Sequence, residues 1–318
     1  MINRVLLYNS GGGIGDSLQI LPLIYTLKLK LKDAKFYYLS SHDNHFNSRL
    51  EGFNSKIETL NLNIKYFGFR WWHFLIIKNR IKKNHIDKFD LIIDLQSKIR
   101  NSIILKMIPH KYFISPCFNF KFSNPSIKIK KMNKINDNIL LAINSVLNTE
   151  YKLIDFDIKR IEDKFNIESK KLLPKNNYIG FSITQGNIYR KKQWPLKNII
   201  NLCKIFKQKN KIPVFFIEKN NKELKNKIQK LIPYSLFPEH ESDLSSPALV
   251  TCLGKRLDFV ITIDNGIMHM LSLSKVPMIS LFGPTNSEKF APEYDKSIAL
   301  DSKKIHNTKD ISAITVED

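Results

Sequence analysis

The sequence predicts an α/β protein of two domains, each a parallel sheet with helices on both faces, with a cleft expected between them. Three observations carry this. Short apolar runs alternate with stretches of helical periodicity from residue 5 to residue 105. The alternation pauses in a polar stretch and restarts at Tyr178. The 318 residues, 43% of them hydrophobic, suffice for two cores of ordinary size.

In order along the chain, Val5 to Tyr8 reads as a strand closed by Asn9-Ser10-Gly11-Gly12-Gly13, and Asp16 to Lys32 as a helix. Lys35 to Leu39 is a strand, Asn44 to Leu50 a short helix, and Ile57 to Leu60 a further strand candidate. Trp72 to Asn84 is helical, and Phe89 to Leu95 is a strand buried on both faces, since it is apolar almost throughout. Pro109 to Lys134 lacks a clear period and predicts irregular connections before a helix at Ile135 to Leu147. The domains are placed at residues 1–165 and 178–318, with 166–177, ending Leu-Leu-Pro-Lys-Asn-Asn, as linker. The second domain then runs Tyr178–Ile183 (strand), Pro195–Gln208 (helix), Val214–Ile217 (strand), Lys222–Leu231 (helix), Phe259–Ile263 (strand), Gly266–Leu273 (helix) and Met278–Phe282 (strand).

Lys and Arg number 51 against 29 Asp and Glu, a formal net charge of +22. Lysine supplies nearly all of the surplus, and arginine, whose planar fork reads phosphate and guanine, occurs at only eight positions. Base-specific nucleic-acid binding is therefore not expected, although a positive field attracts anionic surfaces in general. Cys117, Cys203 and Cys252 are odd in number and form no CxxC pair, which excludes a disulfide framework and a zinc site and suits a reducing cytoplasm. The N-terminal run lacks the small-residue cleavage site of a secretory signal, and no apolar stretch approaches ~18 residues, so any membrane association is expected to be peripheral.

Gly11-Gly12-Gly13-Ile14-Gly15-Asp16 follows a strand and opens a helix, where glycines let backbone amides approach a ligand. It lacks the third glycine of a dinucleotide fingerprint and the GK[ST] of a nucleotide P-loop. Asp16 is thus either a helix cap or a carboxylate at a cleft-facing strand end. Asp264-Asn265-Gly266-Ile267-Met268-His269 again joins a strand to a helix and suits an anion such as a diphosphate, with His269 either structural or within reach of it. Tyr189 to Pro195 holds Arg190, Lys191 and Lys192 beside Trp194, either a solvated face or a phosphate contact. Asp155-Phe156-Asp157 is rejected as a metal-holding pair, and no other acid or histidine cluster has ligand spacing, so no metal and no cofactor are expected.

Taken together, GIGDSLQILPLIYTLK at Gly13–Lys28, FDLIIDLQSKIRNSIIL at Phe89–Leu105, KQWP at Lys192–Pro195 and DNGIMHMLSLSKVPMISLFGPT at Asp264–Thr285 resemble glycosyltransferase family 9, the ADP-heptose:lipopolysaccharide heptosyltransferases. The resemblance implies a GT-B fold, two Rossmann-like domains facing a central cleft. It also implies inverting, metal-independent transfer of heptose or a related sugar from a nucleotide-diphosphate donor, ADP-heptose, to a phosphorylated glycolipid acceptor of the lipopolysaccharide type. Asp16 matches the family's base, with Gly13 and Gly15 in the acceptor-side loop, and Lys192 its donor-phosphate contact. Asp264, Asn265, Gly266, Ile267 and His269 match the donor-binding turn. Thr184 and Glu223 are placed on the donor side, Glu223 at the nucleotide ribose. Asn265 stands where relatives carry Thr or Ser, and the approach Thr184-Gln185-Gly186-Asn187 is longer than theirs. Relatives also continue beyond Val316-Glu317-Asp318 into a terminal helix, so interdomain packing is expected to be completed differently. A GT-B-like nucleotide-sugar epimerase and a noncatalytic glycan-binding relative are the alternatives. Phe67 to Lys83, rich in aromatics and cations, reads either as an interfacial surface for anionic lipid or as an ordinary amphipathic helix.

Overall fold

A computed structural model describes residues 1–185 and 188–318. Two compact units result, one of Met1–Glu51 and Ser55–Phe156, the other of Gly52–Asn54 and Asp157–Asp318. The break after Phe156 precedes the expected linker at 166–177, where Asp163–Leu172 instead forms a helix. That helix packs on the Pro247–Gly254 helix, and Gly52 is admitted to the second unit because a Cβ there would lie 2.5 Å from the Phe165 ring.

In the first unit, β1 (Arg4–Asn9), β2 (Lys35–Ser40), β3 (Glu58–Thr59), β4 (Phe89–Asp94) and β5 (His110–Ile114) form a parallel sheet in the order β3-β2-β1-β4-β5. Val5, Leu6, Leu7 and Tyr8 are fully buried because β1 is central and covered on both faces. Leu6, Tyr8, Phe67, Phe89, Ile92 and Phe113 build the core on one side of it. β5 lies where irregular chain is expected, and its partner β4 explains it: Tyr112 and Phe113 align with Leu91 and Ile92. The helix expected over Asp16 to Lys32 is two helices, Ile14–Gln19 and Leu21–Lys30, because Pro22 has no N–H to continue the first and instead sits in the first turn of the second.

In the second unit, β6 (Tyr178–Ser182), β7 (Ile212–Phe216), β8 (Leu257–Ile263), β9 (Met278–Phe282) and β10 (Ser297–Asp301) form a parallel sheet in the order β10-β9-β8-β6-β7. Beyond β7, Leu236 makes a single parallel bridge to Val214, its N–H donating to Pro213 O (2.9 Å) and its carbonyl accepting from Phe215 (2.9 Å). Counting that bridge as a vestigial strand, the second sheet contains the five-strand order of the first and adds β10 as a sixth, which is the dinucleotide-fold order with one weak edge position. Phe181, Phe215 and Phe237 stack through this core, and Ile311 and Ile314 close it.

Candidate active site

In both sheets the chain order reverses beside the first strand of the unit, and open parallel sheets bind ligands outside the strand ends at such switch points. The switch point of the first unit lies between β1 and β4. There Asn9 Oδ1 accepts from Gly11 N (2.8 Å) and from Gln96 Nε2 (3.0 Å), tying the end of β4 to the glycine loop that follows β1. Gln96 N in turn donates to Asp94 Oδ1 (3.0 Å), whose other oxygen accepts from Ser115 Oγ (2.9 Å) and from Ser102 Oγ. Burial pushes the Asp94 carboxyl up to about 7, against the pull of those hydrogen bonds.

Asp16 lies one turn into Ile14–Gln19, whose cap position is held by Gly13 without a side-chain hydrogen bond, so Asp16 is not the helix cap. Its carboxylate turns back over the loop: a Cβ on Gly11 would lie 2.6 Å from Asp16 Oδ2, and one on Gly13 3.3 Å from it. The glycines thus make room for an acid, while Gly15 is the second residue of the helix itself. Among the described residues no side-chain hydrogen bond or ion pair engages the Asp16 carboxylate, which is half-buried. Burial, with the Asp16 charge as a minor contributor, pushes the neighbouring Tyr38 hydroxyl up to about 12.

In the second unit the switch point lies between β6 and β8. Asn265, two residues after β8, caps Gly266–Ser272 by accepting from Met268 N (2.9 Å), and its Nδ2 donates to Ser182 Oγ (2.7 Å) and Thr184 O (2.8 Å) at the end of β6. Lys192 Nζ reaches Asp264 Oδ2 at 2.5 Å and Asp264 O at 3.1 Å, both side chains being largely buried. The Lys192 N–H donates to Gln185 Oε1 (2.8 Å), and two residues on the Trp194 indole donates to Ile314 O (2.8 Å), so the cation is held from both sides. Gly266 and Ile267 open the capped helix and His269 is buried within it.

The structure brings Lys192, Asp264, Asn265 and Thr184 together, but not Glu223, which is exposed in the first turn of Lys222–Leu231. Thr184 Oγ1 instead donates to Glu218 Oε1 (3.1 Å), and the Glu218 charge, after burial, helps push Glu239 up to about 8. Gly186 and Asn187 lie outside the described residues. Sequence reading missed Asn9, Asp94, Gln96, Glu218 and Glu239. Asn9, Asp94 and Gln96 stood in segments already singled out but were given no role, and the spacings of 87 and 34 residues across the two sets of bonds leave no local pattern. Asp157 caps a short turn by accepting from Lys159 N (3.0 Å), and the three cysteines are buried and free.

The first switch point therefore presents a carboxylate suited to taking a proton, the second a lysine and capped turn suited to an anion. A profile of glycosyltransferase family 9 (heptosyltransferase) matches residues 79–317, well over half of the chain. The lipooligosaccharide heptosyltransferase 2 of Campylobacter jejuni is 24% identical over 306 residues, covering 90% of this chain and 83% of that protein. The lipopolysaccharide heptosyltransferase 1 of Campylobacter coli is 23% identical over 241 residues, 70% of each. The structure of the Escherichia coli heptosyltransferase WaaC with ADP-2-deoxy-2-fluoro heptose superimposes with a TM-score of 0.69 at 15% identity, over 99% of this chain and 96% of that one. The fold is that of the GT-B heptosyltransferases, and the chain belongs to glycosyltransferase family 9 and is a glycosyltransferase.

Proposed function

We propose that this enzyme transfers a heptose, or a closely related sugar, from a nucleotide-diphosphate donor to a lipopolysaccharide-type acceptor, with inversion and without a metal. ADP-heptose is the donor we favour. The observation that carries the reading is the buried Lys192–Asp264 pair beside the Asn265-capped turn, a fixed cation at a strand end with no acid or histidine cluster of metal-holding kind among the described residues. The names of the relatives support the sugar and the acceptor.

The chemistry follows from the residues. Asp16 removes the proton of an acceptor hydroxyl, and that oxygen forms a bond to the anomeric carbon from the face opposite the diphosphate. The bond from the anomeric carbon to the diphosphate oxygen breaks, its electron pair leaving with the nucleotide. Lys192 meets the charge that develops there, with Asp264 keeping the ammonium aimed when no phosphate is present. Glu218, joined to Thr184, replaces Glu223 as the acid proposed for the ribose hydroxyls.

Calorimetric titration of ADP, UDP and GDP, with and without EDTA, tests this on wild type and Lys192→Ala. ADP should bind unchanged in EDTA and lose about tenfold to a hundredfold in affinity in the variant, as expected for a charge-assisted phosphate contact. Preference for UDP or GDP moves the donor within the same site, whereas binding abolished by EDTA sinks the metal-free mechanism. Nucleotide release that requires a glycan acceptor then separates transfer from epimerisation.

A further inference from the structure

Four exposed large apolar side chains of the first unit fall in one short stretch. Trp71, Trp72, Phe74 and Leu75 are 62, 55, 47 and 74% exposed. Only His73 and Ile77 of the His73–Lys83 helix are buried, so the expectation of an ordinary amphipathic helix with its tryptophans in the core is not met. Single exposed apolar residues need no explanation, but four within five positions form a patch that does.

The patch is held firmly. Phe67 O accepts from Tyr8 Oη (3.0 Å) and Ser41 Oγ (2.8 Å), and Gly68, at φ +83° and so close that a Cβ would lie 2.7 Å from Tyr8 Oη, donates its N–H to His73 Nδ1 (3.1 Å). Its exposure is a property of a pinned turn. Cations surround it: the Arg70 guanidinium sits 5.3 Å from the Trp72 ring centre, and Lys78, Lys82 and Lys83 are exposed along the same helix. Lys98 and Arg100 each lie 5.6 Å from the Phe69 ring. The His42 ring packs on Tyr66 and Phe69, which precede the patch in the chain, and lies against Gly12 of the glycine loop that leads to Asp16.

We propose that this face docks the enzyme on a bilayer containing anionic phospholipid, with Trp71, Trp72, Phe74 and Leu75 entering the headgroup layer and Arg70, Lys78, Lys82 and Lys83 meeting lipid phosphates. Tryptophan belongs at that depth, with its apolar body in the interface and its N–H in polar surroundings, and a cationic collar supplies the long-range attraction. A nucleic acid would leave the aliphatic tip unused, and a second copy of a chain carrying +22 would repel it. No helix among the described residues is long and apolar enough to cross a membrane. Resting on the acceptor reading above, docking here presents a lipid-linked sugar to the Asp16 loop.

Sedimentation with phosphatidylcholine vesicles, alone or with about one-third phosphatidylglycerol, tests the proposal, with tryptophan emission recorded in parallel. Of the three tryptophans Trp194 is buried, so a blue shift on vesicle binding reports Trp71 and Trp72. Wild type should bind anionic vesicles, release them at high salt and shift its emission. Lys82→Glu and Lys83→Glu should each weaken partition about fivefold or more, and Leu75→Glu with Trp71→Ala at least tenfold. ADP titration of the same variants should be unchanged, which keeps failure of docking distinct from failure of the donor site. Equal binding to neutral vesicles, variants that sediment like wild type, an unshifted emission, or these substitutions abolishing oligonucleotide binding or self-association in a protein that ignores vesicles would each overturn it.

Discussion

The two switch points are built on the same strand order and laced by the same kind of bond, yet they present opposite chemistry. Between β1 and β4 an amide pair, Asn9 and Gln96, ties two strand ends together and leaves Asp16 outside the lace, its carboxylate uncommitted among the described residues. Between β6 and β8 a single amide, Asn265, does the tying, and the acid beside it is committed to Lys192. The lesson is that the topology fixes where chemistry can happen, while the residues of the loop and first helical turn that follow the strand decide which. An acid with no cation can exchange a proton; an acid with a buried cation holds that cation ready for an anion.

The sharpest way to break this comparison is Asp16→Asn. Turnover should fall about a hundredfold to ten-thousandfold, the range for loss of a general base, with ADP affinity unchanged. Equal loss of nucleotide binding would mean the two switch points do not divide the labour. Next, Lys192→Ala leaves Asp264 buried without its counter-charge and should cost about 3–5 kcal/mol of stability in urea unfolding, most of it recovered when Asp264→Asn is added. No recovery would show that packing of the lysine stem, not charge, holds the turn.

Third in size is a pH effect confined to the first unit's lace. Asp94 has its carboxyl raised from 3.8 to about 7 by burial, so between those values the folded chain holds a proton that the unfolded chain has released. Stability from this group is therefore greatest below the unfolded value and is lost as pH rises toward 7, by up to a few kcal/mol. Urea midpoints of wild type should fall between about pH 5 and pH 8 relative to those of Asp94→Asn. Parallel profiles would remove Asp94 as the cause. The smallest effects come from cutting the laces: Asn265→Ala should cost ~1–2 kcal/mol and Asn265→Thr, which keeps a cap oxygen, less. Gln96→Leu should cost ~1 kcal/mol and lower turnover severalfold without touching ADP affinity.

The sequence announces what punctuation and burial make periodic, and hides what depends on distant chain. β1, β4 and β8 are legible because a parallel strand covered on both faces must be an apolar run. The Pro247–Gly254 helix is buried on every side, so it carries no amphipathic period to find, and β10 leaves Ile298 and Ala299 exposed at the sheet edge. β3 shrinks to two residues inside the Ile57–Leu60 candidate, and the Leu236 bridge is a single residue, too little for any pattern. Asp16, Lys192 and the Asp264–Asn265 turn stand next to glycines, a proline or a strand end and so draw notice. Glu218 does not, because what marks it is a threonine hydroxyl 34 residues earlier.

The hydrogen bond from the Trp194 indole to Ile314 O has a consequence for the order of events during synthesis. It spans 120 residues, and Asn198 Nδ2 leans on the same carbonyl at 3.4 Å. The stretch that positions Lys192 therefore emerges from the ribosome long before the residues that anchor it, and the helix and strands made in the meantime must wait for Ile311 and Ile314 to seal their core. The glycine loop that leads to Asp16 is held by His45 and Gln96, which arrive far sooner. The newborn chain thus assembles the loop bearing its acid early and its anchored lysine last.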